Sequence, residues 1–166
     1  SCLLAWLAAR SEGGGMVLRL EDLDPDRCRP EYCAQVMRDL EWLGLDWDGE
    51  PVYQSRRTEL YAAAFRALEG QGLIYPCFCS RAERLAASAP HRSDGTAVYD
   101  GRCGRLSEEE RAVRAKLRRP AWRVRTPEET VSFSDRLQGV FEENLGRDCG
   151  DFILRRSDGV YAYQLA

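Results

Sequence analysis

The sequence predicts an α/β fold. Two observations carry this. Segments with helical apolar spacing alternate with short apolar runs of strand character over residues 2–73, the pattern of parallel strands covered by helices. The composition, 44% apolar and 31% charged over 166 residues, is that of an ordinary globular chain with a real core.

The first segment, residues 2–10, carries Leu3, Leu4 and Leu7 at helical spacing and ends at Gly13-Gly14-Gly15. No Lys-Ser/Thr pair follows these glycines, so a phosphate loop is excluded and a helix-to-strand turn is expected. Met16 to Leu20 reads as a strand, followed by the acidic run Glu21-Asp22-Leu23-Asp24-Pro25-Asp26. Pro30 suits the first turn of a helix, with Glu31 at the positive end of its dipole. Tyr32, Val36, Leu40 and Leu43 form its apolar face, and Gly44 stops it. Ser55 is the expected N-cap of the next helix, whose face is Leu60, Tyr61, Ala64, Phe65 and Leu68, closed by Gly70 and Gly72.

The character changes after residue 73. Ile74 to Cys79 is short and bears cysteines, and residues 88–105 are rich in Ser, Pro, Gly and Asp. A helix from Glu108 to Leu117 is expected next, then strands at Trp122–Arg125 and Val131–Phe133. Phe152–Arg155 and Val160–Leu165 flank Ser157-Asp158-Gly159, a hairpin signal. The expected organisation is a catalytic-type α/β body at 1–72, an insertion at 73–125 and a return to the body at 126–166.

Net charge is −3, from 24 basic and 27 acidic residues, which excludes nucleic-acid binding by bulk electrostatics alone. Lys116 is the single lysine among the basic residues, a bias expected of a GC-rich genome. No apolar run approaches the roughly 18 residues of a membrane helix. Seven cysteines, odd in number and uneven in spacing, make a poor disulfide framework and point to a reducing cytoplasm. The run CLLAWLAA lacks the basic start and cleavage site of a signal peptide. With no initiator Met and an apolar final YAYQLA, the chain reads as part of something longer.

Three constellations carry chemistry. Cys77-Phe78-Cys79 with Cys103 downstream can converge on a metal, and thiolates prefer zinc. Four ligands are required, and Tyr99, Asp100, His91 and Asp94 are the neighbours able to complete the set, with ordinary buried cysteines the competing reading. Asp22, Asp24 and Asp26 alternate like an EF-hand start, but Arg27 and Cys33 occupy the positions that need Gly and Glu, which rejects calcium. Glu21 instead stands at a strand end, where α/β folds hold ligands, and can accept from an ammonium group; a solvated acidic turn is the alternative. Between Arg111 and Arg125 lie Arg111, Arg114, Lys116, Arg118, Arg119, Arg123 and Arg125 with no acid, suited to phosphates or to a solvated face.

The strings RLEDLDPDR (19–27), GLDWDG (44–49), YQSRR (53–57), GLIYPCFCSR (72–81), DFILRRSDG (151–159) and YAYQLA (161–166) together resemble the glutamyl-type class I aminoacyl-tRNA synthetases. Within them, Cys77-x-Cys79 followed by Tyr99-x-x-x-Cys103 is similar to the zinc ligands of the short glutamyl-queuosine tRNA(Asp) synthetase family. The resemblance implies a Rossmann-type class I catalytic domain, partial here, with a small zinc-binding insertion. It implies one structural Zn²⁺ held by Cys77, Cys79, Tyr99 and Cys103. It implies ATP, with Mg²⁺, and L-glutamate as substrates of a ligase, and transfer of the glutamyl group to queuosine in tRNA(Asp). Glu21 and Tyr163 match the family's glutamate-binding residues. A cytoplasmic monomer without membrane contact is expected.

The family's His-x-Gly-His-like and Lys-Ser-Lys-like ATP motifs do not occur in these residues, so this stretch by itself is expected not to activate glutamate. Two alternatives stand beside this reading. One is the catalytic half of an ordinary glutamyl-tRNA synthetase. The other is a non-catalytic, zinc-stabilised tRNA-binding module.

Overall fold

The computed structural model describes residues 2–24, 27–80, 82–83, 89–90 and 97–166. His91 and Asp94, two of the candidate metal ligands, lie outside the described residues, as does Asp26 of the acidic run. The chain divides into two compact units, Ser1–Leu60 and Tyr61–Ala166.

In the first unit, α1 (Cys2–Ser11) is short and is held from outside by polar contacts. Arg10 pairs with Asp48 at 2.8 Å, and the Trp6 indole N–H donates to Asp46 at 2.8 Å. The Asp48 carboxylate is kept below the usual carboxylate range by its bond to Arg10 and by the Met16 N–H. The expected strand at 16–20 shortens to β1 (Arg19–Leu20), which pairs in parallel with β2 (Val52–Tyr53). The Met16 N–H is instead bound by the Asp48 side chain, and the Met16 carbonyl by the Asp48 N–H, so no sheet ladder forms there. Helix α2 (Pro30–Trp42) begins at Pro30 and stops before Gly44, whose φ of 71° only glycine adopts without strain.

Ser55 is not the N-cap expected of it. It lies in a 3₁₀ turn, Gln54–Arg57, and α3 (Thr58–Gly70) starts afterwards. Ser55 is tied instead to Asp22, whose carboxylate accepts from both the Ser55 N–H (2.8 Å) and hydroxyl (2.6 Å).

The named strands of the second unit pair antiparallel, in keeping with the change of character after residue 73. The unit's sheet runs β3–β6–β9, from β3 (Ile74–Cys77), β6 (Ala121–Val124) and β9 (Ile153–Arg155). Short pairs β4 (Ala89–Pro90) with β5 (Ala97–Val98) and β7 (Thr130–Asp135) with β8 (Gly139–Asn144) complete it. The β7–β8 hairpin extends the expected 131–133 strand, with a turn organised by Asp135, whose carboxylate accepts from the Leu137 and Gln138 N–H groups. Val160–Leu165 is not a strand. A single bridge, Arg155 to Tyr161, forms, and the N–H groups of Leu165 and Ala166 then turn back onto the Ala162 carbonyl.

Two apolar clusters organise this unit. Phe65 of α3 packs with Ile74 and Leu154, flanked by Trp122 edge-on at 5.7 Å and Tyr161 at 6.0 Å. The other cluster is Tyr75, Cys77, Tyr99 and Cys103. Helix α4 (Glu108–Leu117) carries a capping box in which Ser107 and Glu110 bond each other's backbone N–H. No helix among the described residues is long and apolar enough to cross a membrane.

Candidate functional site

Four residues predicted as a ligand set converge. Strand β3 ends at Cys77, and the turn through Phe78 brings Cys79 beside it. Cys103 arrives on a 3₁₀ turn, Arg102–Arg105, that enters through Gly101. The three sulfurs lie within 4.8 Å of one another, with Cys79 and Cys103 3.5 Å apart. The Tyr99 hydroxyl lies 3.5 Å from the Cys77 sulfur and 3.6 Å from that of Cys79. Cys77 and Cys103 are buried and Cys79 is half-buried. Such a cluster can hold a metal ion.

The backbone serves the cluster. The Phe78 N–H points to the Cys103 sulfur (3.5 Å), and the Cys103 N–H donates to the Tyr99 oxygen (3.2 Å). Tyr99 is positioned from behind by Gly150, whose backbone bridges to it. A side chain at Gly150 would meet Val98 at 2.7 Å and the Tyr99 carbonyl at 3.1 Å, at a φ of 68° and ψ of 179° that is essentially glycine's alone. Cys77, Cys79 and Tyr99 are shifted in different directions. Burial pushes the Cys79 thiol up to about 12, and burial, with bonds to Cys103 and Cys77, raises the Tyr99 phenol. Burial also acts to raise Cys77, but bonds from Tyr99, the Cys79 backbone and Arg123 outweigh it and hold this thiol low.

The basic stretch splits into two roles. Arg118 and Arg119 join Arg156, from the far end of β9, around a cavity of about 750 Å³ that Cys77, Cys79 and Ser80 also line. Arg118 also reaches the Phe78 carbonyl (3.3 Å) and Glu83 (3.8 Å). Arg123 and Arg125, in contrast, each lie over a tyrosine ring, Arg123 buried and Arg125 exposed. Arg123 is 5% exposed and lies 3.9 Å over the Tyr99 ring, and Arg125 lies 4.7 Å over that of Tyr75. Asp151 braces the same region, accepting from Tyr75 Oη at 2.5 Å and from the Thr126 N–H at 2.8 Å.

Arg123, Asp151 and Tyr75 were not singled out from sequence as parts of the site. The W-R-V-R alternation at 122–125 put both arginines on one face, but only the register, Tyr75 opposite Arg123 and Cys77 opposite Ala121, shows which face it is. Glu21, in the first unit, is exposed and accepts from Arg19 at 2.9 Å. Tyr163, in the second unit, is 47% exposed.

The profile of tRNA synthetases class I (E and Q), catalytic domain, matches residues 1–166. The chain belongs to this synthetase family. A glutamyl-Q tRNA(Asp) synthetase of Nitratidesulfovibrio vulgaris is 50% identical across 99% of the chain and 54% of its own length. A protein of the same name from Neisseria meningitidis serogroup C is 48% identical across 95% of the chain and 52% of its own length. A glutamate tRNA ligase of Elizabethkingia meningosepticum, solved with its amino acid, superposes with a TM-score of 0.77 at 26% identity, over 99% of this chain and 36% of that one. The fold is therefore that of a class I glutamyl-tRNA synthetase-like catalytic domain of mixed helix and sheet. The chain spans about half the length of the curated relatives it matches.

Proposed function

We propose that the full-length protein is a ligase that activates glutamate with ATP and Mg²⁺ and transfers the glutamyl group to queuosine in the anticodon of tRNA(Asp). The convergence of Tyr99 with Cys77, Cys79 and Cys103 carries this reading. It is the ligand pattern by which the sequence resembles the queuosine family, and relatives 48–50% identical bear the glutamyl-Q name. In the first step glutamate and ATP give glutamyl-adenylate and pyrophosphate. In the second the glutamyl carboxyl passes to queuosine, releasing AMP. Glu21 holds the α-ammonium of glutamate through a charge-assisted bond, and the Tyr163 hydroxyl orients it. Neither group moves a proton. Activation of this type rests on in-line positioning and charge stabilisation.

The metal is zinc. Tetrahedral zinc with sulfur ligands at about 2.3 Å and an oxygen at about 2.0 Å requires S···S near 3.8 Å and S···O near 3.5 Å. The separations of 3.5 Å between Cys79 and Cys103, and of 3.5 and 3.6 Å from Tyr99 to two thiols, fit that shape. Four protein ligands leave no open position, so zinc holds the 73–125 insertion together and takes no part in the chemistry. Arg118, Arg119 and Arg156 face the tRNA phosphates.

Glutamate-dependent ATP–pyrophosphate exchange on the full-length protein, with and without tRNA, tests this. Exchange without tRNA followed by glutamylation of tRNA(Asp) is the expected result. Exchange only with tRNA would assign an ordinary glutamyl-tRNA synthetase. No exchange under either condition would leave a zinc-stabilised RNA-binding module.

A further inference from the structure

Arg123 is a buried cation that the reaction does not use. Its side chain stands 5% exposed in the unit that carries the cysteines. A buried guanidinium is costly unless paired and hydrogen-bonded. Its Nη1 donates to the Asp151 backbone carbonyl, a neutral acceptor. Its Nε is buried without a partner. Among the described residues no Asp or Glu forms an ion pair with it. The carboxylate of Asp151 itself is engaged by Tyr75 and Thr126.

What Arg123 does face is the cysteine–tyrosine cluster. Its guanidinium carbon sits 3.9 Å above the Tyr99 ring. Its strand pairs with β3, and the register sets it on the same face as Tyr75 and Cys77. A divalent metal held by three thiolates and a phenolate carries two net negative charges in a buried place. That centre carries excess negative charge, and this buried cation has no carboxylate partner among the described residues.

We propose that Arg123 is the buried counter-charge of the metal centre, a positioning residue that offsets the anionic ligand set and seats the Tyr99 ring. This rests on the metal reading above. It also explains why an arginine is tolerated at an interior strand position. Arg125, two residues on, is the internal comparison. It covers the Tyr75 ring at 4.7 Å and donates to the Gly104 carbonyl at 2.9 Å, so it is equally cationic and stacked, but on a tyrosine that is not a ligand.

The test is zinc affinity of the full-length protein, read by competition with a chromophoric chelator at fixed pH. Wild type is compared with Arg123→Met, Arg123→Lys and Arg125→Met. Loss of an outer-shell partner typically costs about 10- to 100-fold in metal affinity, the loss expected for Arg123→Met. Arg123→Lys, which keeps the charge, should recover most of it, and Arg125→Met should bind as wild type does. Cobalt substitution supplies a second readout, with the tyrosine and thiolate charge-transfer bands shifted in Arg123→Met alone. Three results would overturn the proposal: Arg123→Met binding zinc as tightly as wild type, both Met variants losing affinity equally, or Arg123→Lys failing to recover it. A wild-type protein that binds no zinc would instead remove the metal reading itself, and this proposal with it.

Discussion

The phenolic oxygen of Tyr99 lies 3.5 Å from the sulfur of Cys77, 22 positions earlier in the chain. Tyrosine is an uncommon partner for a thiol cluster, and here two cysteine sulfurs share it.

Replacing that oxygen separates its two roles. Tyr99→Phe keeps the ring beneath Arg123 and removes the ligand atom. Zinc affinity should fall by at least the roughly tenfold that even an outer-shell loss costs, with the circular dichroism spectrum unchanged. Chelator competition on wild type and variant measures it. Unchanged affinity would remove Tyr99 from the ligand set.

Alkaline pH should unfold the chelated protein at the cluster. The Cys79 thiol is raised from 9.0 to about 12, chiefly by burial, so the folded state holds that proton more tightly than the unfolded state. Its contribution is full below pH 9 and is lost as pH rises toward 12. Zinc binding needs deprotonated ligands and gains with pH, so the zinc-loaded protein should lack this slope. Thermal melts between pH 8 and 11, with and without chelator, compare the two.

The arginines around the cavity should act on RNA through charge. Arg119→Ala with Arg156→Ala should weaken tRNA binding and flatten its dependence on log salt by about one unit per lost phosphate contact. Binding isotherms from 50 to 300 mM salt read this. An unaltered slope would return these side chains to a solvated face.

Gly150→Ala should loosen the second unit. The new methyl group meets Val98 at 2.7 Å in a backbone conformation that itself costs on the order of 1–3 kcal/mol in other residues. Because Gly150 backs Tyr99, lower thermal stability should come with weaker zinc binding. A melting curve that overlays wild type would show that the loop yields freely.

Glu21→Gln should keep the fold and lose the charge offered to the glutamate ammonium. A charge-assisted bond of about 1.5–3 kcal/mol corresponds to a rise in KM for glutamate of roughly ten- to a hundredfold. Steady-state exchange kinetics on the full-length protein measure it, and an unchanged KM would assign ammonium binding elsewhere.

Much of this was legible in the sequence because it is local. Helix starts and stops at Pro30, Gly44, Glu108 and Gly70 depend on neighbours within one turn, and they stand as read. The spacing of Cys77, Cys79 and Cys103 marked the three thiols, while Tyr99 was singled out only by the family resemblance. Pairing decisions were not legible. Ser55 looked like a cap until Asp22, 33 residues earlier, claimed both its donors. The run Val160–Leu165 looked like a strand, but its pairing with β9 stops at Ala162, whose N–H reaches the Leu154 carbonyl, and the Leu165 N–H turns back onto Ala162. Arg123 and Arg125 belonged to a basic run by composition. Only the antiparallel register of β6 on β3 set them over Tyr99 and Tyr75, burying Arg123 and leaving Arg125 exposed. Side-chain period and helix caps are written along the chain. Which face of a strand becomes interior is set by the partner it meets, and that partner is fixed only when the chain folds.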